Sequence, residues 1–150
     1  MTTDAGCESI GTCVQSRCIL YNSAVPITLR YILISDDVRT ENNGKLIVIG
    51  LYGPEILVQR LPIAIPLAFT AGIVLESEGA FDLSGKLIRP DSAEELLTFG
   101  ATGEAKKSGA AYVPFKFPIV KFSQAGIYEV SLAVEGQEER LTETFELKTV

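Results

Sequence analysis

The chain runs Ile27-Thr28-Leu29-Arg30-Tyr31-Ile32-Leu33-Ile34, then Ser35-Asp36-Asp37-Val38-Arg39-Thr40-Glu41-Asn42-Asn43-Gly44-Lys45, then Leu46-Ile47-Val48-Ile49-Gly50-Leu51-Tyr52-Gly53. Two apolar runs flank a charged segment, and Asn43-Gly44 is the dipeptide that most readily supplies the positive φ of a tight reversal. The stretch therefore reads as a β-hairpin with a charged end. Ile27, Leu29, Tyr31 and Leu33 fall on one face of the first strand, with Ile32 and Ile34 adding apolar character to the other. Leu46 to Leu51 is apolar on both faces as well. A strand pair buried on both sides is expected at the centre of a sheet, with the remaining strands arranged around it.

Alternation continues downstream. Glu55 to Arg60 reads as a short strand closed by Leu61-Pro62, and Leu67, Phe69, Ala71, Ile73 and Leu75 alternate behind Pro66. Phe81, Leu83 and Leu87 mark the next strand, which Arg89-Pro90-Asp91-Ser92 stops. Leu96, Leu97 and Phe99 fit a strand better than the helical turn that Ser92 and Glu95 could cap. Gly100 to Gly109 reads as a polar connection. Val113, Phe115, Phe117 and Ile119 form a strand in which Pro118 argues for an edge or a bulge. The hairpin Tyr128 to Val134 and Leu141 to Leu147 turns at Glu135-Gly136-Gln137-Glu138. Short strands at this spacing, with almost no helical periodicity, predict an antiparallel β-sandwich over residues 25–150. Tyr128 stands where an immunoglobulin-like fold carries its tyrosine corner.

Residues 1–24 are small and polar with isolated apolar positions, which suits an extended N-terminal arm. Within it, Arg17-Cys18-Ile19-Leu20-Tyr21 is apolar enough for a short strand that could be added to a neighbour. Cys7, Cys13 and Cys18 all fall in this arm, and an odd number cannot form a complete internal disulfide set. Free reduced thiols come first among the readings, links between subunits second. Zinc comes third, because a chain without histidine would need a carboxylate, a water or a second chain to complete a tetrahedron.

The chain has 150 residues, 47% of them hydrophobic and 21% charged, which suits one domain with a sizeable core. Its net charge of −6 offers no long-range attraction to phosphate backbones or anionic lipid, so nucleic acid is not an expected partner. Leu61 to Leu75 is too short to span a bilayer as a helix and is broken by Pro62 and Pro66, so membrane insertion is not expected. The first residues carry neither a basic start nor an apolar run, so the expected location is cytoplasmic, with incorporation into a released assembly left open.

The absence of histidine excludes Ser-His and Cys-His nucleophile arrangements. Asp36, Asp37 and Glu41 stand beside Arg39 and Lys45, but Arg39 occupies an alternate position that a calcium loop would give to an oxygen ligand. This hairpin motif, with Gly44 at its turn, is therefore read as structural: ion pairs that hold the register. Glu94 and Glu95 read as a solvated face. Gly100 to Ser108 lacks the Lys-Ser that follows the second glycine of a phosphate loop.

Ile32-Leu33-Ile34-Ser35-Asp36-Asp37-Val38-Arg39-Thr40-Glu41, with Gly44-Lys45-Leu46 and Gly50-Leu51-Tyr52-Gly53, resembles the signature of an uncharacterised family of small bacterial proteins, a domain of unknown function. That resemblance implies an immunoglobulin-like sandwich and no established activity. The functional expectation is a non-enzymatic interaction or structural subunit without a cofactor. Its partner is another protein or copies of itself, joined in a ring or filament through an arm presenting Cys7, Cys13, Cys18, Ile19, Leu20 and Tyr21. The alternative is a carboxylate-based enzyme or a sugar-binding module.

Overall fold

The computed structural model describes residues 25–150; the arm that the sequence sets apart lies outside the described residues. The described part is all-β. In chain order the strands are β1 (Ile27–Thr40), β2 (Leu46–Leu51), β3 (Glu55–Val58), β4 (Ile63–Leu75), β5 (Gly79–Arg89), β6 (Glu94–Ala105), β7 (Gly109–Phe122), β8 (Gly126–Val134) and β9 (Arg140–Thr149). They form two sheets, ordered β2-β1-β4-β7 and β3-β9-β8-β5-β6. Every neighbouring pair is antiparallel except β3 with β9, which is parallel.

One apolar core draws on both sheets. Alternation supplies it: Leu67, Phe69, Ala71, Ile73 and Leu75 enter from β4, and Tyr128, Val130, Leu132 and Val134 from β8. Two aromatic clusters stiffen it. Phe122, Tyr128 and Phe145 meet with ring centroids 5.0–6.2 Å apart, and Phe69, Phe99, Phe115 and Phe117 with centroids 4.8–5.6 Å apart. Offset and edge-on rings at such separations add to the burial itself.

The opening hairpin departs from its sequence reading in two respects. The β1–β4 register shifts between Leu29 and Tyr31, and an extra residue there exchanges the faces of the residues that next follow it. Ile27 and Leu29 are buried, but after the shift Ile32 and Ile34 take the core side while Tyr31 turns outward. The second departure concerns position. β1 is central, between β2 and β4, but β2 is an edge strand whose apolar side chains stay partly or largely exposed. Apolar content on both faces had two outcomes open to it, burial or an apolar edge, and pairing on one side only gives the second.

The turn needs three residues. Glu41 N–H donates to Lys45 O at 2.8 Å, Gly44 N–H donates to Glu41 O at 2.9 Å, and Gly44 alone takes a left-handed φ, +85°. Asn43 Oδ1 accepts from Lys45 N–H, the local capping for which Asn is favoured in turns.

Residues 100–105, read as part of a polar connection, belong to β6, and the turn is confined to 106–108. The small residues have a packing reason: a Cβ at Gly103 would meet the Phe81 ring at 2.6 Å. Pro118 does lie in an edge strand, β7.

The ends of the sheets are stitched by side chains. Gln137 accepts from Ile27 N–H and donates to Val25 O, and Glu139 accepts from Leu29 N–H at 2.9 Å. These bonds satisfy the start of β1 on the side where β2 does not reach, and they hold Val25 beside the β8–β9 turn.

Candidate interaction surface

The hairpin motif lies mostly within β1 rather than at its turn. Asp37 is the hub: Oδ2 accepts from Arg39 Nε at 3.1 Å, and Oδ1 accepts from Lys116 Nζ at 3.0 Å and from Val38 N–H at 2.8 Å. Lys116, followed by Arg39 and the Val38 amide, pulls the Asp37 carboxyl down to about 2. Asp36 instead accepts from the Tyr52 hydroxyl. Burial, reinforced by that carboxylate, raises the Tyr52 phenol to about 12. Glu41 and Lys45 approach only to 4.0 Å across the turn, and both are exposed.

Nothing in the sequence pairs Asp37 with Lys116, which β4 brings alongside by pairing with β1 at Ser35↔Ala68 and with β7 at Ala68↔Lys116. Each aspartate is thus committed to its own donors. Consecutive carboxylates of this kind serve the hairpin's attachment to its neighbours rather than a shared proton or ion. Among the described residues no three His, Cys, Asp or Glu side chains gather into a metal-binding group. Glu95 pairs with Lys86 at 2.8 Å, and Glu94 is exposed.

The four sheet edges differ. β7 carries Pro114, Pro118, Lys116 and Lys121. β6 contains Glu94, Glu95 and Glu104, and β3 is four residues long. Proline, charge and brevity are the usual means of blocking pairing with another chain. β2, Leu-Ile-Val-Ile-Gly-Leu, has none of the first two, and Ile47, Ile49 and Leu51 are 40%, 37% and 60% exposed. Beside it, a depression of roughly 390 Å³ is lined by Tyr31, Leu33, Leu46, Val48, Thr70 and Tyr112, with Gly44 and the charged Lys45 at the turn. Tyr31 lies over Gly72, where a Cβ would come within 2.4 Å of the ring. Burial and the neighbouring Tyr112 hold its phenol above the ordinary value. Apolar content was visible in the β2 sequence, but its exposure was not. The Tyr31–Tyr112 pairing comes from the shift at β1 and the β4–β7 register.

A model of a family of unknown function (DUF6941) matches residues 30–144. The chain belongs to that family. No curated protein sequence matches significantly. Among solved structures, the chain is similar to the Pseudomonas fluorescens alkylpurine DNA glycosylase AlkC bound to DNA containing an abasic site analog, at 12% identity and a TM-score of 0.48, over 81% of this chain and 30% of that one. It is also similar to the β-glucosidase from Listeria innocua in complex with isofagomine, at 12% identity and a TM-score of 0.47, over 83% of this chain and 16% of that one. The chain thus spans less than a third of either protein.

Proposed function

We propose that the protein is a non-catalytic interaction or structural subunit of immunoglobulin-like sandwich architecture that binds another protein or copies of itself. The observation that carries the reading is the β2 edge: apolar, uncharged, free of proline, and exposed along Ile47, Ile49 and Leu51. An exposed strand edge offers a row of free N–H and C=O groups, and association by strand addition satisfies them while covering the apolar side chains. The architectural part draws support from Tyr128, whose hydroxyl donates to Gln124 O at 2.6 Å, four residues upstream, in the manner of a tyrosine corner. The engaged state of Asp36 and Asp37 favours this reading over carboxylate catalysis. All three cysteines belong to residues 1–24, so any disulfide the protein makes with itself joins arm to arm. Sedimentation of the full chain over a wide concentration range tests the proposal. Reversible association that Ile49→Lys weakens is expected, and a strict monomer at all concentrations overturns self-assembly. A partner protein is then tested by binding that the same variant abolishes.

A further inference from the structure

We infer that the occupant of the β2 edge is the segment Arg17–Tyr21 of a second copy of this chain, donated head to tail. The inference rests on the interaction reading above and commits it to a donor, an acceptor and a direction of assembly.

Reach decides between own arm and neighbour's arm. Val25 is tied down where the arm leaves the domain: its N–H donates to Ala80 O at 3.0 Å and its carbonyl accepts from Gln137 Nε2 at 2.7 Å. β2 pairs with the far half of β1, Asp37 opposite Ile49. From Ile27 to Asp37 the strand advances about ten residues, roughly 33 Å at ~3.3 Å per residue. Ile19, at the middle of the donated segment, precedes Val25 by about six residues, at most roughly 21 Å of fully extended chain. The segment falls short of its own β2 edge by roughly ten ångströms. It can reach the edge of another copy without restriction.

The chemistry of donor and acceptor matches. Arg17-Cys18-Ile19-Leu20-Tyr21 is a five-residue run, uncharged after Arg17 and without proline or glycine, able to supply an unbroken ladder along Leu46–Ile49 before Gly50 turns to φ +65°. In strand addition the main chain provides affinity and side-chain pockets provide register. The depression between Tyr31, Val48 and Tyr112 is available for an alternate side chain of the added strand. Arg17 also brings a cation to a domain rich in carboxylates, in a chain of net charge −6. Because donor and acceptor are different patches, the contact is heterologous, and repeated copies form a ring if the rotation closes and a filament if it does not.

The test uses two full-length proteins. The donor keeps Cys18 as its only thiol through Cys7→Ser and Cys13→Ser. The acceptor has all three cysteines replaced by serine and carries Ile49→Cys. Mixed with oxidised glutathione, which accepts the two electrons and two protons of each new bond, they are expected to give a donor–acceptor disulfide. Its yield should be at least fivefold above that with an acceptor carrying Ile119→Cys in β7. Ile19→Pro in the donor, which removes a ladder donor, should lower that yield at least fivefold. Equal yields at β2 and β7, or an intrachain disulfide in one protein carrying both Cys18 and Ile49→Cys, overturn the inference. Disulfides formed only between Ile49→Cys residues also overturn it while leaving association through β2 standing. A chain that stays monomeric overturns both it and self-assembly through β2.

Discussion

β2 and β7 are the two edges of one sheet, each paired on a single side, and they handle that position in opposite ways. β7 contains Pro114 and Pro118, which have no N–H to donate, and adds Lys116 and Lys121, so a second chain finds fewer ladder donors and charges to desolvate. β2 presents six residues with no charge and no proline. Exposure alone does not separate the two, since Ile119 of β7 is 64% exposed and Leu51 of β2 is 60% exposed. What separates them is whether the backbone beside the apolar side chain can continue a sheet. A single exposed isoleucine is ordinary on a protein surface, whereas an apolar strand with a free edge is a place for pairing.

The largest effect expected follows from charging each edge in turn. Ile49→Lys should weaken association of the full chain at least tenfold in sedimentation, and Ile119→Lys should leave it within about twofold, since each tenfold step corresponds to roughly 1.4 kcal/mol. Equal effects at the two positions would erase the distinction between the edges. Next in size is the kink that limits the open edge. Gly50 has φ +65°, and a Cβ there would stand 2.1 Å from Asp36 Oδ2, so Gly50→Ala should cost about 1–3 kcal/mol in denaturant unfolding. A neutral result would mean that β2 relaxes independently of β1.

A smaller effect tests how firmly β1 is tied to the β7 edge across the sheet. Asp37 of β1 is held by Lys116 of β7, and its carboxyl is lowered from 3.8 to about 2. Its contribution is present above the unfolded-state value and lost as pH falls through the folded one. Stability should therefore drop between about pH 4 and pH 2, and Asp37→Asn should flatten that part of the profile. Tyr52 works in the opposite direction, its phenol raised from 10.0 to about 12. That contribution is present below pH 10 and lost as pH rises toward 12, a decline that Tyr52→Phe should reduce; a profile unchanged in either variant would show that these groups do not couple folding to pH. Smallest of all is Arg39→Ala. The Arg39 side chain is 68% exposed, and thermal unfolding should shift by less than about 0.5 kcal/mol, the scale of an exposed ion pair. A loss above about 2 kcal/mol would show that Arg39, rather than Lys116, is the main partner of Asp37.

Much of the fold was legible because its signals are local. Period-two alternation identified β4, β8 and β9, Asn43-Gly44 marked the first turn, and Pro118 pointed to an edge or a bulge. Each depends on a few neighbouring residues and on the geometry of a single strand. The candidate surface was legible only in pieces: the apolar run of β2 could be seen, and Asp37 with Arg39 could be paired from their spacing. Tyr128 could be placed in a strand, but that its hydroxyl donates to Gln124 O could not be read from the sequence.

By itself, the sequence determined an all-β chain, its main strands, its first turn and the chemical character of each edge, because side-chain type and alternation act over a handful of residues. Only the tertiary structure decided which strands lie at the sheet edges, which face of β1 after Arg30 enters the core, and that Lys116 and Tyr52 meet Asp37 and Asp36. Strand order and register are set by long-range pairing. A shift of one residue, such as the one between Leu29 and Tyr31, reverses the faces of the residues that next follow it without changing the composition of the strand.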